Sequence, residues 1–418
     1  MAHSPARITI LGLNFAPEPT GIAPYTTSLA RGLHQRGHRI RAISAHPHYP
    51  DWKIADGYGG WTKQELHNDV PLTRVLHYVP ARPSGIRRLF SEVTFGVRTL
   101  FARWEKPDVV ILVSPALISS AIAMLRVRWG FRRPASAVWI QDIYSLGIVE
   151  TGAGGSRVAG ILGATERWTA RSATGVAVIH TRFKDYLVKR LSVPGDRVEV
   201  IRNWTHLPPS PEVDRTAERA RLGWGENEVI VLHAGNQGTK QALENVVDAA
   251  RLADRDGAPV RFVLLGGGSQ REQLGRLAAG VERIQFIDPL PEGEYQRVMA
   301  SADVLLVNEK AGVAEMAVPS KLTSYFSTGL PVVAATDAQS VTAGEIEASE
   351  GGLRIDAEDP AALVAVAVSL GADSERAARL GAAGKRYREA VLAEDAAIDH
   401  FDTWLQSLAA RNTARINR

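Results

Sequence analysis

Three glycine-bearing loops and two lysines have the types and spacing to do chemistry. In Gly235-Asn236-Gln237-Gly238-Thr239-Lys240-Gln241, two glycines flank a polar turn and a lysine stands where a helix is expected to begin. A cation there opposes the helix dipole unless an anion shares the site, so Lys240 points to a bound phosphate; a solvated lysine is the plain alternative. Gly266-Gly267-Gly268 allows a tight turn and close backbone approach by a ligand, or merely a flexible turn. The richest segment runs from Glu315 through Pro319-Ser320-Lys321-Leu322-Thr323-Ser324 to Gly329. Pro319 or Ser320 can start a helix that Gly329 closes. Its free N–H groups, with Ser320 and Lys321 alongside, suit a diphosphate, and Glu315 just upstream can accept hydrogen bonds from sugar hydroxyls. An ordinary capped helix would read the same way.

The first half offers a second set. After its first apolar run comes Asn14-Phe15-Ala16-Pro17-Glu18-Pro19-Thr20-Gly21-Ile22-Ala23-Pro24, a Pro/Gly loop with Pro24 set for a helix start. Gly21 lets an anion approach its backbone closely. His46, His48 and Tyr49 follow the second run. Two histidines at i, i+2 raise a metal, but no carboxylate cluster completes a site, so the expectation is no metal and an acceptor-lining loop, with Asn14 of the first loop as a further acceptor candidate. Gln141-Asp142 follows the fourth run, where ligands of α/β sheets bind; Asp142 can equally cap the next helix. Lys240, Glu315 and Asp142 are the catalytic candidates.

These residues need strand ends and helix starts to position them. Apolar runs bounded by turn residues read as buried parallel strands at Ile8–Leu13, Ile40–Ala45, Val109–Val113, Ala137–Ile140, Val176–Ile179 and Val198–Ile201. The second half repeats the pattern at Val229–His233, Arg261–Leu265, Ile284–Ile287, Val304–Val307 and Val332–Ala335. Helical periods lie between, for example Tyr25, Leu29 and Leu33 closed by Gly37. The alternation predicts an α/β protein with two doubly wound sheets. Leu207-Pro208-Pro209-Ser210-Pro211 reads as a linker. The expected division is 1–206, 212–392, and a C-terminal helix over 393–418 carrying Ala397, Phe401, Trp404, Leu405 and Leu408.

The 418 residues include no cysteine, which excludes disulfides, thiol nucleophiles and thiolate metal sites. No run approaches the ~20 apolar residues of a spanning helix, and no secretory signal is visible, so a cytoplasmic protein is expected and the sequon at Asn203 is read as silent. The net charge of +4 hides an asymmetry. Residues 1–210 hold 27 Lys and Arg against 14 Asp and Glu; residues 211–418 hold 22 against 31. A basic half facing an acidic half points to an anionic partner. No nucleic-acid motif is present, which leaves an anionic membrane surface or a phosphate-bearing acceptor. Leu89, Val93, Leu100 and Trp104, with Phe90, Val97 and Phe101, form an apolar stripe flanked by Arg87, Arg88, Arg98 and Arg103, and Arg126, Arg128, Arg132 and Arg133 follow another apolar helix. Such helices rest on membranes or pack into cores.

Together the motifs resemble glycosyltransferase family 4, the retaining family with the GT-B fold, and within it the branch building colanic-acid-type, capsular and O-antigen polysaccharides. The resemblance is carried by "LNFAPEPTGIAPYTTSLARGLHQRGHRIRAISAHPHYPDW", "IQDIYSLGIVETG", "RNW", "HAGNQGTKQALE", "GGGSQREQL" and "VPSKLTSYFSTGLPVVAAT". It implies two Rossmann-like domains facing across a cleft. A nucleoside-diphosphate sugar would be held mainly by the second, and a saccharide or polyprenyl-diphosphate-linked acceptor by the first. No metal or other cofactor is implied, and no nucleic acid. By position, Gly21 matches the family glycine near the donor diphosphate, Lys240 its phosphate-binding lysine, and Ser320–Leu322 the segment meeting the diphosphate, while Glu315 lies one residue from the place of the sugar-contacting glutamate; Gly235, Asn236, Gly266, Gly267, Pro319 and Ser324 complete the donor-binding candidates. Three positions depart: Ser324 stands where many members have a second glutamate, Asn236 near their arginine, and Gln141 where many have a histidine. The implied chemistry is front-face displacement, with Lys240 and Lys321 stabilising the leaving diphosphate. A GT-B epimerase and a non-catalytic nucleotide-sugar-binding subunit are the rival readings.

Overall fold

The computed structural model describes residues 5–19, 21–81, 85–130, 133–145, 156–204, 213–291, 293–312 and 320–416, with the backbone alone at 156–159, 320, 415 and 416. Glu315, Pro319 and the Leu207–Pro211 linker lie outside the described residues. The chain forms two compact units, one of Met1–His206 with Glu394–Arg418 and one of Leu207–Ala393.

The first unit is built on eight strands: β1 (Arg7–Leu11), β2 (Arg39–Ala45), β3 (Thr62–His67), β4 (Val70–Val75), β5 (Val109–Ser114), β6 (Ala135–Ile140), β7 (Gly175–Val178) and β8 (Val198–Val200). They lie in the order β3-β4-β2-β1-β5-β6-β7-β8, parallel except for the β3–β4 hairpin. Every residue of β5 and β6 is buried, because helices cover both faces. The hairpin escapes a reading by apolar runs. β3 alternates half-buried and exposed residues at the sheet edge, all polar except Leu66, and β4 carries Pro71 and Arg74.

Helices α1 (Ala23–Gln35), α2 (Gly85–Phe101), α3 (Leu117–Trp129), α4 (Ser156–Ser172) and α5 (Thr181–Lys189) belong to this unit. So does the final helix, α14 (Glu394–Ile416), whose Ile398, Phe401, Trp404, Leu405 and Leu408 join Leu29 and Leu33 of α1 over Ile8, Ile10, Ile111 and Trp139. Trp139 stacks on Trp204 at 5.8 Å, and Phe401 meets both edge-on. Gly32 brings the two helices together: a Cβ there would come 2.3 Å from Ile398 Cδ1.

On α2 the packed side differs from the expected stripe. Ser91, Glu92, Phe95, Gly96 and Thr99 are buried, whereas Ile86, Phe90, Val97 and Phe101 face solvent. Leu89, Val93 and Leu100 are half-buried. Gly96 decides this, since its bare backbone lets α2 settle onto Ser119 and Ile122 of α3.

The second unit has strands β9 (Val229–Ala234), β10 (Val260–Leu265), β11 (Ile284–Ile287), β12 (Val304–Asn308), β13 (Val332–Ala335) and β14 (Gly352–Ile355), all parallel, in the order β11-β10-β9-β12-β13-β14. Its helices are α6 (Arg215–Leu222), α7 (Glu244–Asp256), α8 (Arg271–Leu277), α9 (Glu294–Ala300), α10 (Ser320–Tyr325), α11 (Val341–Ser349), α12 (Pro360–Ala372) and α13 (Ser374–Val391); α14 (Glu394–Ile416) then returns to the first unit. The chain winds outward from β9 to β11, then resumes at β12 on the other side of β9. Doubly wound sheets bind ligands in the crevice that such a reversal opens beyond the carboxyl ends of the strands. In the first unit the equivalent place lies between β1 and β5.

Candidate functional site

In the second unit the carboxyl ends of β9, β10 and β12 carry a layered loop site. Gly235, just after β9, has φ 124°, and a Cβ there would press to 3.1 Å from Lys321 Cε. Gly266, after β10, has φ 127°, and its Cβ would meet the Gly235 carbonyl at 2.3 Å. Only glycine permits this stacking of two loops. Gln237, absent from the sequence expectations, locks them: its N–H donates to the Gly267 carbonyl at 2.8 Å and its Nε2 to the Gly266 carbonyl at 2.9 Å, while its own carbonyl accepts from Gln270 N at 2.9 Å. Asn236 is exposed beside it.

Lys321 and Lys240 part company here. Lys321, in α10, is partly buried beneath the Gly235 loop, with Nζ 2.9 Å from Nε2 of His233, the penultimate residue of β9. Burial lowers the Lys321 pKa to about 7, with Glu309 acting in the opposite direction. His233 is fully buried, and burial followed by the neighbouring Lys321 holds it well below its ordinary range, so its imidazole is neutral. Glu309, the residue after β12, accepts hydrogen bonds from Thr336 (2.5 Å) and Thr342 (2.6 Å).

Lys240 instead is exposed, in a single 3-10 turn over Thr239–Gln241. The expected helix start lies further on. Ala242 takes a left-handed φ of 42°, and α7 begins only at Glu244, so the helix-dipole argument for Lys240 does not apply. Buried Asn308 fixes this turn, donating to the carbonyls of Gln241 (2.8 Å) and Ala242 (3.0 Å). Leu322 is a core residue packed with Tyr325 and Phe326, so only its backbone can meet a ligand. Ser324 is buried. The Tyr325 hydroxyl bonds both the N–H and the carbonyl of Ala234, tying α10 to β9.

In the first unit Glu18 is the organising residue, and the sequence reading passed over it as part of a Pro/Gly loop. It is buried, accepts from Asn14 Nδ2 (2.8 Å), and accepts from the backbone N–H groups of His48 (2.8 Å) and Tyr49 (2.9 Å). The loops after β1 and β2 thus form one piece, with Gly21 (φ 67°) beside the Tyr49 ring. This corrects the expectation that the side chains of His46 and His48 line an acceptor site. Both are buried: His46 Nε2 bonds the Gly60 carbonyl at 2.7 Å and His48 Nδ1 bonds the His46 carbonyl at 2.9 Å. The loop turns back onto residues 58–60, so its histidines are internal struts and Tyr49 is the exposed member. After β6, Gln141 exchanges two amide hydrogen bonds with Asn203 (2.8 and 2.7 Å), while Asp142 is exposed. Glu166 accepts from Tyr144 N (2.7 Å) and Ser145 Oγ, and Glu92 accepts from the Tyr144 hydroxyl and Ile118 N. Burial raises both carboxyls. Among the described residues no group of three His, Asp or Glu is placed to hold a metal ion.

A lysine amine at the switch point of a doubly wound sheet, under glycines that keep the backbone bare, is suited to an anionic, phosphate-bearing ligand. Comparison with known proteins agrees. Residues 20–204 match the family model "Glycosyl transferase 4-like domain", and residues 214–387 match "Glycosyl transferases group 1". The putative colanic acid biosynthesis glycosyl transferase WcaI of Escherichia coli K12 is 31% identical over 339 residues, covering 77% of this chain and 81% of that protein. The probable glycosyltransferase WbjE of Pseudomonas aeruginosa is 25% identical over 67% of this chain and 70% of its own length. In fold, the chain resembles sucrose-phosphate synthase from Thermosynechococcus elongatus (TM-score 0.73, 17% identity, 97% of this chain and 100% of that one) and Anabaena HepE solved with UDP (TM-score 0.68, 16% identity, 96% and 100%). With two Rossmann-like sheets, both family models matched in order and a relative of this similarity, the chain belongs to the GT-B glycosyltransferases of the group 1 and 4-like family.

Proposed function

We propose that the protein transfers a sugar from a nucleoside-diphosphate sugar to a saccharide or polyprenyl-diphosphate-linked saccharide in surface polysaccharide biosynthesis, with retention of anomeric configuration and without a metal. The observation carrying this reading is the Lys321 amine under the Gly235 and Gly266 loops at the β9/β12 reversal. The similarity to WcaI, named for colanic acid biosynthesis, supports the pathway class, and HepE, solved with UDP and with UDP-glucose, supports the donor class. In this reading Lys321 meets the charge that develops on the leaving diphosphate, and the bare backbone of Gly235 and Gly266 lets that group approach. Exposed Lys240 adds a second cation from the turn that Asn308 holds. Gly21, Asn14 and Tyr49 contribute the first unit's surface, with Asp142 beyond β6. The departing phosphate oxygen takes the acceptor proton. Turnover tests the reading: one nucleoside-diphosphate sugar is consumed only with an acceptor, and the product's anomeric NMR coupling matches the donor's. Consumption without acceptor would identify an epimerase, and binding without turnover a non-catalytic subunit.

A second observation favours an anionic membrane surface as the place of action. Ile86, Phe90, Val97 and Phe101 fall within about 60° of arc on α2 at 100° per residue, on the side away from the packed face. By the same count Arg87 and Arg98 stand about 40–60° to one side of that arc, and the one carboxylate of α2, Glu92, is buried. All the exposed large apolar side chains among the described residues except Leu277 belong to the first unit. No helix among the described residues is long and apolar enough to cross a membrane, so docking would be peripheral. The protein is expected to sediment with vesicles containing anionic phospholipid at low salt, and Phe90→Asp with Phe101→Asp to lower that binding about tenfold or more. Unchanged sedimentation, or a mutation-sensitive dimer that ignores vesicles, would reject the bilayer as partner.

A further inference from the structure

His233 interrupts an otherwise apolar strand, Val229-Ile230-Val231-Leu232-His233-Ala234, at a fully buried position paired in register with Leu264. A buried imidazole is unfavourable there unless it has a partner. Its partner is the Lys321 amine at 2.9 Å, with the Asn236 carbonyl more distant at 3.4 Å. The pairing leaves the amine little freedom, because the lysine stem also runs against Gly235. Resting on the reading that Lys321 meets the donor diphosphate, we propose that His233 is a positioning residue for Lys321, and that the pair makes nucleoside-diphosphate binding proton-linked, the amine taking up a proton as the diphosphate arrives.

The surroundings give the direction. From β9 the amine faces neutral His233; from just beyond β12 it faces Glu309, whose two oxygens are engaged by Thr336 and Thr342. The carbonyls of Asn236 and Leu306 act on the imidazole. Burial outweighs Glu309, and the free amine titrates near neutrality. A diphosphate beside it favours the charged form and lifts that pKa. The sign follows. Below about pH 7 the amine is charged before and after binding, so affinity is flat. Above it the bound form holds a proton that the free form lacks, and affinity falls about tenfold per pH unit until the bound-state pKa is passed. His233 contributes by accepting a hydrogen bond from the ammonium, which favours the charged form.

The test is calorimetric titration of the full chain with UDP, GDP, dTDP and ADP in turn at pH 8, where the nucleotide phosphates are ionised. Each titration is repeated in two buffers of different ionisation enthalpy. The expected result is uptake approaching one proton with whichever nucleotide binds. Lys321→Arg, always charged, should bind with no uptake. His233→Leu should move the midpoint of the affinity–pH profile to lower pH, and His233→Gln, which restores an acceptor, should move it back. Binding without proton uptake overturns this inference and leaves the donor reading standing, as does uptake that persists in Lys321→Arg. If His233→Leu fails to fold, the Lys321→Arg comparison still decides proton linkage, and a His233→Gln midpoint well below the wild-type one rejects the acceptor role. Failure of every nucleotide to bind would remove both readings together.

Discussion

In Lys321→Ala, turnover falls about 10²–10³-fold, the range for removing one preorganised group aimed at developing charge. Nucleoside diphosphate also no longer raises the melting temperature appreciably. The amine is held by His233 and lies against the Gly235 backbone. Lys240→Ala should cost less, about tenfold, because that side chain is exposed and samples many positions before a ligand arrives. The ordering is the informative result. Equal losses would mean that the exposed turn is as preorganised as the crevice, and a larger loss in Lys240→Ala would move the main leaving-group cation to that turn.

The second large effect is on stability. Phe401→Ala should destabilise the first unit by about 3–5 kcal/mol, the cost of deleting a buried aromatic ring. Phe401 is fully buried, contacts Trp139, Trp204 and Trp404, and lies in a helix some two hundred residues beyond the rest of that core. For a unit of this size the loss corresponds to a melting-temperature drop on the order of 6–20 °C, measured by calorimetry. Ending the chain after Ala393 would remove Ile398, Trp404, Leu405 and Leu408 as well, more than a stability of about 5–15 kcal/mol can absorb, so the first unit should not fold. A truncated protein with an unchanged first transition would show that α14 merely decorates the sheet.

The fold was legible where burial on both faces of a parallel sheet made continuous apolar runs, as in Val109–Ser114 and Val332–Ala335. It was not legible at the edges. β3 and β14 are only partly covered and lack such runs, and Pro71 and Arg74 break β4. The glycine loops were visible because close approach leaves glycine as a mark in the sequence. Their tie, Gln237, was not, since a glutamine donating to main-chain carbonyls carries no local pattern. The two lysines looked alike in spacing and differ only in tertiary setting, Lys321 enclosed against a histidine eighty-eight residues away and Lys240 on an exposed turn. His46 and His48 misled for the converse reason. Polar residues after a strand suggest a surface, but here they bond their own loop, and Glu18 does the joining.

A nucleoside-diphosphate site in the β9/β12 crevice would show itself in thermal unfolding. The most direct measurement is the melting temperature of the wild-type protein and of Lys321→Ala against UDP, GDP, dTDP, ADP and their sugars. A ligand that binds only the folded state raises it increasingly as concentration exceeds Kd; at a hundredfold excess the stabilisation is about 2.7 kcal/mol. A clear rise with one nucleotide and its sugar, largely lost in Lys321→Ala, is the expected result. No rise with any nucleotide, or an equal rise in both proteins, would contradict it.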